Sequence, residues 1–121
     1  MTTFLRGRAF ETAAARFLES KGWTVLARNV RVGPVEIDLV VVRDGVLAFV
    51  EVKGRGRGAP AHPLAWLTRR KRARVVRAAR GWLQRTGGTW RGVRFDAVSV
   101  REGAPGRLII EHVEDAWRAD D

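Results

Sequence analysis

The sequence predicts one α/β domain in which a mixed five-stranded sheet is flanked by helices. A chain of 121 residues is long enough for one hydrophobic core and too short for two, so residues 1–121 are expected to form a single domain. Segments with helical periodicity alternate with segments of strand character in the order α-β-β-β-α-β-β. A two-residue Asp-Gly turn joins the second and third strands.

The N-terminal part predicts a helix followed by a strand. Residues 5–21 form the helix, because their apolar residues recur with the spacing of one buried face. These residues are Phe10, Ala13, Ala14, Phe17 and Leu18. Gly22 suits the C-terminal cap of this helix, and residues 23–30 are predicted as the first strand.

The remaining elements follow from the same patterns. Strands are predicted at 35–42 and 46–53, and residues 54–63 are predicted as a loop. The second helix covers 68–85, with inward-facing Val75, Ala79, Trp82 and Leu83. Two further strands are expected at 93–100 and 107–113, followed by a short helix near 115–119.

The hairpin carries four charged residues where a buried sheet is expected. If Asp44 and Gly45 are the two turn residues, paired positions have numbers that sum to 89. Asp38 then lies opposite Glu51, Glu36 lies opposite Lys53, and all four side chains project from one face. The other face is predicted as core and carries Val35, Ile37, Leu39 and Val41 on the second strand.

Opposed carboxylates destabilise a hairpin unless positive charge lies between them. A divalent cation such as Mg²⁺ or Mn²⁺ meets this need, since these ions take carboxylate ligands and bridge to phosphate. Lys53 is then placed to orient a water molecule or stabilise phosphate charge in metal-assisted phosphodiester hydrolysis. The alternative is an ordinary Glu36–Lys53 ion pair, with Asp38 and Glu51 at a solvated sheet edge, and the hairpin geometry leaves both alternatives open.

Composition narrows the classes of partner and site. The net charge of +10 favours a polyanion, with nucleic acid as the leading candidate. Genomic base composition or heat adaptation would explain the preference for Arg over Lys, but not the excess of positive charge. The lack of cysteine excludes disulfides and thiolate sites. No apolar run or signal-peptide pattern suggests a membrane, so a cytoplasmic location is expected.

The second helix and the loop before it predict a nucleic-acid surface. Arg70, Arg74 and Arg77 fall at helical spacing on one outward face, where they would contact successive phosphates. Arg55 and Arg57 lie in the glycine-rich loop directly after Lys53. The chain has 20 arginines but only three lysines, so a lysine at position 53 or 71 suggests that an amine is needed there in place of a guanidinium. Lys71 lies one turn before Val75 and is predicted to point towards the sheet. A solvated basic helix is the alternative interpretation.

An ordered set of motifs resembles a known nuclease superfamily. Asp38 followed by Glu51-Val52-Lys53 on the next strand resembles the PD-(D/E)XK nucleases, and the whole chain resembles their small YraN-like family. The matching pieces are Gly7, Phe10-Glu11 and Ala14, Arg28-Asn29, Glu36-Ile37-Asp38-Leu39, Phe49-Val50-Glu51-Val52-Lys53 with Arg55, Lys71 with Ala79, and Arg94-Phe95-Asp96. The resemblance implies a restriction-endonuclease-like fold, related in motif to archaeal Holliday junction resolvases.

The resemblance also implies a site. Asp38 and Glu51 would be direct metal ligands, Lys53 would position water or steady the phosphate, and Glu11 would complete the metal site. Two positions depart from the family pattern, which has glycine where this chain has Phe10 and Val35. Neither departure removes a ligand.

Three functions are weighed. The first is metal-dependent hydrolysis of DNA, selective for junctions or branches, in repair or recombination, by an enzyme that would act as a homodimer if it resembles the junction resolvases in this respect. The second is a catalytically silent nucleic-acid-binding protein that keeps the fold. The third is an interaction module that does not bind nucleic acid.

Overall fold

The computed structural model describes residues 3–55 and 66–120, including the side chains of all of these except residues 3–6 and 55. The elements in chain order are helix α1 (Thr3–Ser20), strands β1 (Thr24–Val32), β2 (Val35–Arg43) and β3 (Val46–Arg55), helix α2 (Arg69–Thr86), and strands β4 (Gly92–Glu102) and β5 (Leu108–Trp117). Neither α1 nor α2, the helices of the described residues, has the length and apolar character needed to cross a membrane.

The strands form one five-stranded sheet in the order β1-β2-β3-β4-β5. Strands β1, β2 and β3 form an antiparallel meander, whereas β3 and β4 are parallel. The parallel pair requires a crossover, and α2 lies in it. Strand β5 returns antiparallel to β4, so the sheet is mixed. The predicted fold class and the predicted order of elements are confirmed.

Each face of the sheet is covered by one helix. Helix α1 packs Phe10, Ala14 and Leu18 against Leu39, Val41 and other residues of one face. Helix α2 packs Val75, Ala79 and Trp82 against the other face, where Phe49 meets the Trp82 ring edge-on with the centroids 5.7 Å apart. The central strands are therefore buried on both sides, which explains their nearly continuous apolar sequence.

The predicted helix near 115–119 is wrong, because β5 continues to Trp117. Trp117 is 2% exposed and stacks on Phe95 with ring centroids 5.4 Å apart. Asp115 adopts a positive φ of 50°, and the register of β4 with β5 shifts at this point. After this register shift the Trp117 ring lies in the core. Burial of this ring favours continuation of β5 over a helix.

The predicted hairpin turn is confirmed, and its register holds until the site begins. Asp44 and Gly45 have φ values of 51° and 77°, as a two-residue turn requires. The pairing runs from Arg43 with Val46 to Leu39 with Val50, which is the predicted register. It includes neither Asp38 with Glu51 nor Glu36 with Lys53. The strands therefore separate where the carboxylates lie.

The predicted alternation of faces along β2 fails at the same point. Leu39 and Val41 pack in the α1 cluster as predicted, but Ile37 packs with Val40 in the α2 cluster, and Val35 joins them there. A regular strand would place Ile37 and Leu39 on one face. The strand therefore changes its facing at Asp38, between the two helices.

A close approach between β3 and α1 holds the helix beside this point. A Cβ atom at Gly54 would overlap the ring of Phe10, so the absence of a side chain at Gly54 lets Phe10 lie on the strand. Gly54 and Arg55 belong to β3 and not to the predicted loop, and residues 56–63 of that loop lie outside the described residues. Because Phe10 precedes Glu11 in α1, this contact also sets the position of Glu11 relative to β3.

Candidate functional site

The carboxylates of Asp38 and Glu51 replace the missing backbone pairing between β2 and β3. Asp38 Oδ2 accepts a hydrogen bond from the Val52 N–H at 2.7 Å, and Glu51 Oε2 accepts one from the Asp38 N–H at 3.3 Å. Glu51 is only 4% exposed. The two acids are therefore neighbours through these hydrogen bonds, which hold the separated strands together, and not through the predicted cross-strand pairing.

The carboxylate of Asp38 also belongs to a group of three carboxylates that come from α1 and β2. Single oxygen atoms of Glu11 on α1 and of Glu36 and Asp38 on β2 all lie within 4.8 Å of one another. The predicted metal ligands Glu11 and Asp38 are thus brought together, whereas Glu51, the third predicted ligand, is not in this group and accepts a hydrogen bond from the Asp38 backbone. The third member, Glu36, was placed on the charged face by the sequence but was not assigned as a ligand. Its position two residues before Asp38 was the available signal.

The pKa values of Glu11, Asp38 and Glu51 are all raised. Burial is the largest cause raising the pKa of Glu11, Asp38 and Glu51 above their ordinary values. Repulsion between neighbouring carboxylates adds to this for all three. A hydrogen bond from Asn29 opposes the rise for Glu11. A cation bound beside these acids would favour their charged forms.

The donor set fits a hard divalent cation. Mg²⁺ binds oxygen ligands at about 2.0–2.1 Å, so ligands of one ion lie up to about 4 Å apart. The Glu11, Glu36 and Asp38 oxygens lie close to this span, and Glu36 remains partly exposed to solvent. Glu11 Oε1 is buried and has no hydrogen-bond donor within the described parts of the chain. A buried acceptor without a donor is satisfied when a cation binds beside it.

The two lysines of the predicted site are placed differently. Lys53 is partly buried at the end of β3, two residues beyond Glu51, and among the described residues Glu36 pairs with Arg31 at 3.8 Å and not with Lys53. The Glu36–Lys53 ion pair of the alternative interpretation is therefore not found among the described residues. The pKa values of Asp38 and Glu51 are raised overall, and the positive charge of Lys71 on α2 partly opposes this rise. The Lys71 ammonium lies 5.2 Å from the centre of the Trp66 ring.

A basic cleft opens beside the carboxylates, with a volume of about 340 Å³. Its charged lining residues are Glu36, Glu51, Arg70, Lys71 and Arg74. The first turn of α2 contains no acidic residue, although negative charge is favoured there, so cations crowd the positive end of the helix. This placement is unfavourable for the isolated helix and suits an anion in the cleft.

The predicted arginine row divides between two surfaces. Arg70, Arg74 and Arg77 are all exposed, but Arg70 and Arg74 line the basic cleft whereas Arg77 lines a neighbouring groove. Arg55 is the last residue of β3 and its side chain lies outside the described residues, as does the whole of Arg57. The row therefore lies on the ridge of α2 that separates the two surfaces.

Comparison with known proteins assigns a family. The model of the uncharacterised protein family UPF0102 matches residues 10–100, which include every acid of the site. The chain belongs to this family. A UPF0102 protein of Burkholderia pseudomallei strain 1710b is 48% identical over 116 residues, covering 95% of this chain and 76% of the relative. A UPF0102 protein of Symbiobacterium thermophilum is 42% identical over 116 residues, covering 93% and 96%. The predicted YraN-like membership is confirmed at this level.

A solved structure is also similar to this UPF0102 chain. The structure of Pyrococcus furiosus SfsA in complex with Ca²⁺ matches with a TM-score of 0.43 and 19% sequence identity. The match covers 93% of this chain and 63% of that one, so the chain spans less than two thirds of the solved protein.

This UPF0102 protein has a second buried polar cluster, centred on Asp96 of β4. Asp96 is fully buried, and Arg94 Nη2 and His112 Nε2 each lie 2.7 Å from Asp96 Oδ2. The Asp115 N–H donates to Asp96 Oδ1 at 3.1 Å. Burial raises the pKa of Asp96, but these hydrogen bonds outweigh it and hold the pKa below its ordinary 3.8. With its partners satisfied, Asp96 fixes the bend in β5.

Proposed function

We propose that the protein is a divalent-metal-dependent nuclease of the PD-(D/E)XK superfamily that cleaves DNA. The observation that carries the proposal is that carboxylate oxygens of Glu11, Glu36 and Asp38 lie within 4.8 Å of one another, beside the basic cleft. Acids crowded to this degree suit a cation, and the cleft suits a phosphate. The two features adjoin, as phosphodiester hydrolysis requires.

Each group has a role in this proposal. Glu11, Glu36 and Asp38 hold Mg²⁺ or Mn²⁺, which when bound polarises the phosphate and activates water. Glu51 fixes the Asp38 backbone through its hydrogen bond and so sets the position of that carboxylate. Arg70 and Arg74 hold phosphates next to the scissile one. Lys71 lines the basic cleft and balances charge on the phosphate. Lys53, two residues after Glu51 on β3, orients the attacking water.

The test is cleavage of labelled linear, single-stranded, flapped and four-way-junction DNAs with Mn²⁺ or Mg²⁺. Asp38→Asn removes the negative charge but keeps an oxygen for the Val52 N–H, and Lys53→Ala removes the amine. Glu19→Gln is the control, since it makes a comparable change at an exposed carboxylate of α1. We expect both site variants to lose cleavage while they retain DNA binding. Equal cleavage by all four proteins would reveal a contaminating nuclease and contradict the proposal.

The second candidate is a nucleic-acid-binding protein without turnover, and one observation favours it. Both Asp38 and Glu51 accept backbone hydrogen bonds that join β2 to β3, so their carboxylates have a structural use without metal. In that case wild type binds DNA with strong salt dependence and cleaves none of the four substrates. A Mn²⁺ titration would then find no binding that depends on Asp38.

A further inference from the structure

A second groove lies between α2 and the end of β5. Two adjoining cavities of about 360 and 200 Å³ share Val76, Arg80, Trp117 and Arg118, so they form one continuous depression. None of its lining residues lines the basic cleft beside the carboxylates. The groove is thus a separate surface, reached from the cleft across the Arg74–Arg77 ridge of α2.

The groove has an apolar part and a basic part. The apolar part is lined by Val93, which is 42% exposed, and by Phe95 and Trp117, whose rings stack on each other. The basic part is formed by Arg72, Arg77, Arg80 and Arg118. Asp115 and Asp120 are the acidic residues of the lining, so the four guanidinium groups leave positive charge in excess.

Part of the basic side is held in position. Arg72 Nε donates to the Leu67 carbonyl at 2.9 Å, and Arg118 Nη2 lies 3.0 Å from Asp115 Oδ2. Arg80 is exposed on α2 and lines both cavities. A ligand therefore meets arginines from two parts of the fold, α2 and the residue that directly follows β5.

The chemistry of the two parts limits the ligand. Four guanidinium groups select an anion such as phosphate, and the apolar part favours a flat, weakly hydrated group attached to it. An unpaired nucleotide has both features, since its base presents an apolar face that a paired base hides in the duplex. Duplex DNA, whose bases are paired and stacked inside the helix, would leave the apolar part uncovered.

We infer that this groove, defined by Arg72, Arg77, Arg80 and Arg118 with Val93 and Trp117, binds an unpaired nucleic-acid strand. The inference rests on the proposed function, because it assumes that the carboxylate site acts on the same nucleic acid. The strand would run from the basic cleft over the ridge of α2 into the groove. The protein would then prefer DNA that carries a single-stranded tail or branch over blunt duplex.

The experiment measures binding of a short labelled duplex, with and without a single-stranded tail, by fluorescence anisotropy in EDTA. Arg80→Ala is compared with Arg85→Ala, an exposed arginine of the same helix outside both surfaces. Val93→Asp is compared with Leu26→Asp, because both apolar residues are more than 40% exposed and only Val93 lines the groove. Circular dichroism confirms that each variant is folded.

We expect Arg80→Ala and Val93→Asp to weaken binding of tailed DNA at least about fivefold and to change blunt-duplex binding less than about twofold. Both control variants should follow wild type. An equal effect of Arg80→Ala on tailed and blunt DNA, or no effect on either, would overturn the groove assignment and leave the proposed function standing. Wild type that binds none of these DNAs at low salt would overturn both. Retained preference for tails without metal-dependent cleavage would support the groove and contradict only the nuclease.

Discussion

Asp38 and Glu51 each accept a hydrogen bond from the backbone of the opposite strand, Asp38 from Val52 at 2.7 Å and Glu51 from Asp38 itself at 3.3 Å. The two acids are therefore neighbours that repel each other and also join β2 to β3. Their charge and their hydrogen-bonding capacity have opposite effects on stability. Substitutions can separate the two.

The first prediction concerns metal-free stability. Asp38→Ala leaves the Val52 N–H without an acceptor and should cost about 1–3 kcal/mol in the free energy of unfolding. Asp38→Asn keeps an acceptor and removes a carboxylate that faces Glu11, Glu36 and Glu51, so its stability in EDTA should equal or exceed that of wild type. Urea unfolding measures both variants. Equal destabilisation by Ala and Asn would show that the hydrogen bond to Val52 requires the charged form.

The second prediction concerns metal binding. Mn²⁺ binds the folded cluster and not the unfolded chain, so it should raise the melting temperature, with a contribution of about 2.7 kcal/mol at a hundredfold excess over Kd. Asp38→Asn and Glu36→Gln should reduce this shift, whereas Glu19→Gln should not. Differential scanning fluorimetry with and without Mn²⁺ measures it. A full shift in Glu36→Gln would remove Glu36 from the ligand set.

The third prediction separates the two lysines. Lys71→Met removes a positive charge that acts on both Asp38 and Glu51, so Mn²⁺ should bind more tightly while DNA binds more weakly. Lys53→Met should abolish cleavage and leave both affinities within about threefold. Lys21→Met is the control, since Lys21 lies over the Phe17 ring at the far end of α1. Calorimetric titration with Mn²⁺ decides, and weaker Mn²⁺ binding by Lys71→Met would contradict the assignment.

The fourth prediction concerns the contact that positions Glu11. Gly54→Ala forces Phe10 away from β3 and should cost about 1–3 kcal/mol, with a reduced thermal shift by Mn²⁺ because Glu11 follows Phe10. The matched control is Gly92→Ala, where an added Cβ meets no atom within 4 Å. Adding Phe10→Leu to Gly54→Ala should recover part of the loss. If Gly54→Ala behaves like Gly92→Ala, the contact does not position α1.

The fifth prediction concerns acid stability. The pKa of Asp96 is lowered on folding, so the unfolded state binds the proton more readily and the stabilising contribution is complete above the ordinary value of 3.8. This contribution is lost as the pH falls from that value through the lowered pKa. Asp96→Asn should therefore be less stable than wild type at neutral pH and should lose less stability on acidification. Urea unfolding between neutral and acid pH tests this, with Asp120→Asn as the exposed control. Parallel profiles of wild type and Asp96→Asn would contradict it.

Local signals in the sequence predicted much of the fold. The order of elements, the Asp44-Gly45 turn and the pairing from Arg43 down to Leu39 all depend on neighbouring residues along one chain segment, and all are found. The same reasoning failed for the helix near Asp115, because Asp96 and Phe95 on β4 decide that segment. It also placed Ile37 on the wrong face, since strand alternation assumes that pairing continues.

For the candidate site, the sequence by itself determined that Asp38 and Glu51 are neighbours, because hairpin register follows from the turn and from the two-residue period of strands. Only the tertiary structure brought Glu11 to the acids of β2 and set Lys71 beside Asp38 and Glu51. The end of pairing after Leu39, the change of facing at Asp38 and the packing of Phe10 on Gly54 produced this arrangement. These features depend on packing between distant elements, which no local periodicity encodes.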